Sequence, residues 1–184
     1  MTGVQTCALP ISGPLPPDNT QAYQIVNETS TLPASGTTNS KRLTNEGARK
    51  MMATAVEKAK EAGIAVSIAI TDAGGHLILL ERMEGGRFHS VHSATTKAVC
   101  AASNKRMTSA RGAQAQELDA AHALGLALAA GPERWTAMEG GCPVIADGEC
   151  IGGIGVAGGD WATDERIAQQ AVESIGASWR TDSK

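Results

Sequence analysis

Two histidines stand three residues apart, His89 and His92, in the segment FHSVHSATTKAVCAAS. On a helix this spacing puts both imidazoles on one face, where either nitrogen lone pair can reach a metal. A haem iron needs only one or two such ligands. A structural zinc needs four, and no HExxH or CxxC pattern supplies the remainder. Lys97 lies further along the same stretch, and Arg82 stands just before it. Both are cations able to hold a carboxylate, Arg82 through a fork of donors. Their structural alternatives are an exposed helix face for Lys97 and a salt bridge to Glu81 or Glu84 for Arg82.

Other groups carry weaker signals. Gly158 and Gly159 precede a predicted helix and leave backbone N–H groups for an anion. The acidic Asp160, Asp164 and Glu165 would repel phosphate there and suit capping of the helix instead. Asp72 and Asp160 form an acid–base pair only if the two turns that carry them converge. His76 opens a strand beside the turn and suits a hydrogen bond within it. His122 sits in the most apolar predicted helix, as a core or interface histidine. Cys100, Cys142 and Cys150 lack CxxC spacing and read as buried thiols, not as a disulfide framework. No GxSxG nucleophile elbow occurs, and GGIGVAGG follows the wrong topology for a dinucleotide fingerprint.

These residues need elements to position them. A helix is predicted from Thr44, an N-cap type, to Gly63, with Ala48, Met51, Met52, Ala55, Ala59 and Ala62 at helical spacing. IAVSIAITDAGGHLILLER follows as two strands around the Asp72-Ala73-Gly74-Gly75 turn. Both faces of the return strand are apolar, so helices should cover both sides of the sheet. Residues 88–103 read as an Ala-rich helix, and residues 110–130 as another that becomes apolar all round from Ala120 and so suits an interface. Residues 135–138 suit a short strand or a loop. Asp147-Gly148 joins strands 142–146 and 149–156 as a hairpin, and a last helix ends at Gly176. The order helix, hairpin, helix, helix, hairpin, helix predicts an α/β/α sandwich of the α+β class. Its antiparallel sheet would have about five strands, with helices on both faces.

Of the 184 residues, 42% are hydrophobic but only 3% aromatic, so the core must be built from small and aliphatic side chains. Such a core buries little area per residue, which makes oligomerisation a natural supplement. A net charge of −3 provides no basic field for nucleic acid or an anionic membrane, and no apolar run is long enough to span a bilayer. Residues 1–12, MTGVQTCALPIS, look like the translation of a sequencing-adapter primer and are set aside from fold reasoning. Residues 13–40 are rich in Pro, Thr, Ser and Asn and read as a flexible arm or linker. Residues 41–178 form the single domain, and 179–184 a tail.

The strand with TDAGGHLILLERM, the Ala-rich helix with Lys97, then GGCPVI, GGIGVAGG and DE before the last helix resemble the GlcG/HbpS-type proteins. They are also similar to the C-terminal domain of PduO-type proteins. The resemblance covers about residues 43–176. It implies a profilin-like α/β/α fold, frequent homo-oligomers and, in several members, haem binding, with members both secreted and cytoplasmic. It transfers no iron ligand by motif.

Two functions follow as expectations. The first is an oligomeric small-molecule binding protein, for haem or a related tetrapyrrole, with a pocket between a sheet end and the helix of His89, His92 and Lys97. The second is an enzyme acting on a small carboxylate or hydroxy acid, with Arg82 or Lys97 as the clamp and a histidine moving protons.

Overall fold

A computed structural model describes residues 36–112 and 114–180. The expectations for residues 1–12, for most of the arm and for the last four residues of the tail lie outside the described residues. The chain divides into two units, Met1–Asn39 and Ser40–Lys184, and every element below belongs to the second.

Helix α1 spans Asn45–Glu61, and the Thr44 hydroxyl caps it by accepting from the Gly47 N–H at 3.1 Å. Its Ala and Met stripe is buried, and Gly63 takes a positive φ just beyond the end. Strands β1 (Ser67–Asp72) and β2 (Leu77–Arg82) form the first hairpin. The Asp72 carboxylate organises its turn by accepting from the N–H groups of Gly74 at 2.8 Å and His76 at 2.9 Å. Helix α2 spans Ser90–Asn104, α3 spans Ala120–Ala130, β3 and β4 span Gly141–Ala146 and Glu149–Ala157, and α4 spans Trp161–Glu173.

The sheet is antiparallel with strand order β2-β1-β4-β3. Among the described residues it has four strands where about five were expected, because residues 135–138 form a loop. Alternation along the strands sorts the two faces. Ile68, Ile70, Ile154, Val156, Cys142 and Val144 pack with Met51 and Ala55 of α1 and Ile167 and Ala171 of α4. On the other face Ala69 meets Ala94 and Ala98 of α2. Helices therefore cover both faces, in the order α1 and α4, sheet, α2.

Glycine decides how α2 approaches. A Cβ on Gly155 would run into the Ala94 carbonyl and come within 2.7 Å of the Ala98 nitrogen. A Cβ on Gly153 would meet the Ala98 carbonyl in the same way. The helix backbone thus lies on the strand backbone, at a separation only Gly facing Ala allows.

One helix is shorter than its sequence pattern predicts. Residues 110–112 and 114–118 are not helical: Arg111 and Glu117 form an isolated antiparallel bridge, and the Gly112 N–H donates to the Gln116 carbonyl at 2.8 Å. Gly112 favours the turn over a helix interior, and Asp119 captures the helix start through the His122 N–H at 2.9 Å. The resulting α3 is strongly apolar, yet none of its residues is buried.

Replacing Gly155 by Ala should push α2 off the sheet and cost at least the upper end of the roughly 1–3 kcal/mol typical of overpacking. A urea unfolding midpoint checks this, and an unchanged midpoint would contradict the close approach.

Candidate functional site

The register of the sheet decides which predicted residues meet. Ser67 pairs with Arg82 on one side and Ala157 on the other, so the end of β2, the start of β1 and the end of β4 lie together. Ser67 also contacts α2, its hydroxyl lying 2.8 Å from that of Ser90. The first turn of α2 therefore sits over this same sheet end. Arg87 ties in the third strand by donating to the Gly158 carbonyl at 3.0 Å. Arg82, His89, His92, Gly158, Gly159 and Asp160 are consequently gathered at one end of the sheet.

Within that group the histidines face solvent. His89 is the N-cap residue of α2 but makes no side-chain cap bond. Its ring meets Phe88 edge to face, with centroids 5.7 Å apart, and Phe88 is itself 77% exposed. His92 is exposed one turn on, and Arg82 is exposed at the end of β2. Among the described residues Arg82 makes no salt bridge to Glu81 or Glu84. The surface thus offers two imidazoles, one phenyl ring and the Arg82 guanidinium, with that of Arg87 engaged on the Gly158 carbonyl. No group of three or more His, Cys, Asp or Glu that could hold a metal ion occurs among the described residues.

Asp72 is elsewhere. It pairs with Gly152, five residues along β1 from Ser67 and so about 17 Å away. The turns of Asp72 and Asp160 lie at opposite sheet ends and form no acid–base pair. Partial burial raises the Asp72 pKa, but the hydrogen bonds from His76 and Gly74 outweigh it and hold the carboxyl below its usual range. The side chain of Thr163 does the same for Asp160, which caps α4 by accepting from the Thr163 N–H at 3.0 Å. His76 serves the first turn, its Nδ1 lying 3.1 Å from Asp72. His122 is not a core residue: it is exposed beside Asp119, at 2.9 Å.

Lys97 takes neither an exposed helix face nor an open clamp. It is 3% exposed, and its ammonium donates to the Val156 carbonyl at 2.7 Å and to Asp164 at 3.2 Å. Asp164 is equally buried, and its carboxylate also accepts from the N–H groups of Gly158 at 3.3 Å and Gly159 at 2.8 Å. The anion held by the Gly158-Gly159 amides is therefore the protein's own side chain. Burial lowers the Lys97 pKa, with Asp164 opposing it in part. The importance of Asp164 is faint in sequence. Its signal is a second acid four residues after Asp160, on the turn of α4 that faces the sheet.

The fold and this sheet end define a three-layer α+β protein presenting imidazoles beside a guanidinium. The chain belongs to the HbpS-like family, described as haem degrading protein HbpS-like, whose family model matches residues 43–173. It is 33% identical to protein GlcG of Escherichia coli over 114 residues, which are 62% of this chain and 80% of GlcG. The crystal structure of a PduOC–haem complex aligns with a TM-score of 0.67 at 28% identity, covering 76% of this chain and 99% of that one. A double mutant of Streptomyces reticuli HbpS aligns with a TM-score of 0.64 at 32% identity, covering 79% and 94%.

Replacing Lys97 by Met should leave the Asp164 carboxylate buried without its cation and cost about 3–5 kcal/mol, whereas adding Asp164→Asn should restore much of the loss. Denaturant unfolding of the two variants checks the order. The linkage has a definite sign. A lysine pKa lowered on folding means that the unfolded chain binds more protons over a window ending at the ordinary 10.5, so the Lys97 contribution makes stability rise with pH there. Wild type should show that rise relative to the doubly substituted protein. Parallel pH profiles would exclude it.

Proposed function

We propose that this chain is a haem- or tetrapyrrole-binding protein whose ligand site is the sheet end bearing Arg82, Phe88, His89 and His92. The observation that carries the reading is the gathering of two exposed imidazoles, an exposed phenyl ring and an unpaired guanidinium over one edge. The residues fit the group chemically. An imidazole nitrogen supplies an axial ligand, Phe88 offers an apolar face to the macrocycle, and Arg82 suits a propionate. Bound haem would supply a redox-active iron. Family membership and the haem complex of PduOC support this assignment.

Homo-oligomerisation belongs to the same reading. Helix α3 leaves Leu124 60% and Leu128 70% exposed, along with Leu126, in a helix that packs on no other element among the described residues. Exposed aliphatic side chains on this scale mark an interaction surface. A second copy is the natural cover, because the small-residue core gains most from added buried area.

Haemin titration followed at the Soret band tests the ligand. Saturable binding is expected, with a shifted band and weakened affinity in His89→Ala combined with His92→Ala. No saturable shift, or one indifferent to both substitutions, would overturn the site. For the oligomer, Leu124→Glu with Leu128→Glu should reduce the mass seen by sedimentation velocity to that of a single chain. An unchanged mass would remove α3 from the interface.

A further inference from the structure

An open cleft lies beyond the other end of α2. It has a volume of about 450 Å³ and is lined by Arg106, Met107, Arg111, Trp179 and Arg180 among others. That volume falls within the range of sites for small organic ligands. No histidine lines it, and α2 puts about 18 Å of helix between His92 and Asn104.

Its walls are pinned by backbone bonds. After the left-handed Lys105, the chain is anchored to β3 by the Thr108 N–H donating to the Gly141 carbonyl at 2.9 Å. The opposite wall follows α4, where Ile145 and Ser178 exchange two N–H···O bonds of 2.8 Å. Trp179 is then oriented by its indole N–H donating to Glu173 at 2.9 Å. The bridge between Arg111 and Glu117 brings in Arg111 as the third side.

The charge there is underused. Arg106 donates to the Arg111 carbonyl at 2.7 Å, a neutral acceptor that leaves most of its five N–H donors unspent. Arg180 stacks on the Trp179 ring, 4.3 Å from its centroid, and its guanidinium makes no ion pair among the described residues. Arg111 has a carboxylate neighbour, Glu117, but at 3.8 Å and on an exposed pair. Three guanidinium groups thus surround a floor of thioether and indole.

We infer that this cleft is a binding site for a small aromatic carboxylate, its carboxylate held between Arg106 and Arg180 and its ring against Met107 and Trp179. Fork geometry favours carboxylate as the head group, and the Trp179 wall selects a flat apolar body. The site is separate from the one proposed for haem, because it offers iron no imidazole.

Calorimetric titration of the full chain with 2-naphthoate tests the assignment, with 2-naphthalenemethanol and inorganic phosphate as comparison ligands. Saturable binding of naphthoate is expected, weakened about tenfold or more in Arg106→Gln and in Arg180→Gln. Trp179→Leu should weaken it as well, whereas His89→Ala with His92→Ala should leave it unchanged. Both arginines can be changed without loss of a buried contact, so circular dichroism should remain that of wild type. Absence of saturable binding, equal affinity for the neutral alcohol or for phosphate, or indifference to both arginine substitutions would each overturn the site.

Discussion

The contact on which this molecule depends is the seating of α2 directly on β4. Gly153 and Gly155 offer no side chain, and Ala94 and Ala98 offer the smallest one, so helix and strand meet backbone to backbone. Close packing of this kind collects many weak dispersion contacts and tolerates no added methyl group. It also fixes the rotation of α2 about its axis. With Ala94 and Ala98 pointed at the sheet, Lys97 is obliged to turn inward on one flank while His89 and His92 are left facing solvent. Both the buried ion pair and the candidate ligand surface follow from that rotation.

The Lys97–Asp164 pair joins three elements that the hydrophobic core joins only from opposite faces of the sheet. Lys97 comes from α2, Val156 from β4 and Asp164 from α4, and the Gly158-Gly159 amides complete the set of partners. Desolvating two charges is expensive, so an ion pair here contributes less to net stability than its short distances suggest. Its value is geometric. A hydrophobic pair could bury the same volume, but it would satisfy neither the Val156 carbonyl nor the two glycine N–H groups that end β4. The sheet end on which Arg82 and the histidines stand is held in shape by this polar knot.

Much of this was legible in the sequence, and what was not has identifiable causes. The hairpins, the first helix and the last were marked by local chemistry: Thr44 and Asp160 as caps, Asp72 and Asp147-Gly148 as turns. Those signals act over a few residues and survive without tertiary information. The histidine pair and its neighbour Arg82 could be singled out as candidates, because i, i+3 spacing is a local property; their role as ligands is the reading we propose. The fate of Lys97 was not, since whether a helical lysine faces water or a carboxylate on another helix depends on packing sixty-seven residues apart in sequence. The helix expected from residue 110 failed because Ala-rich composition outweighed Gly112 and the better cap at Asp119. The arginine cleft was invisible, its walls being assembled from segments that the Thr108–Gly141 bond and the Ile145–Ser178 bridge each tie to β3.

Helix α3 puts the remaining physical problem most sharply. A helix of eleven residues with three exposed leucines packs on no other element among the described residues, and isolated helices of that length are marginal in water. Its Asp119 cap contributes about 1 kcal/mol at most sites of this kind, far less than the conformational entropy of ordering eleven residues. Burial of Leu124, Leu126 and Leu128 on a second surface would supply roughly 1.5–3 kcal/mol each, enough to change that balance. The same logic applies to Phe88, exposed beside the histidines. A tetrapyrrole at the proposed site would be shielded from water only with apolar walls on both of its faces, and Phe88 is one exposed apolar side chain there. On the proposed reading, ligand binding and association would draw on the same feature, a core of small and aliphatic residues with Phe88 and the α3 leucines left exposed.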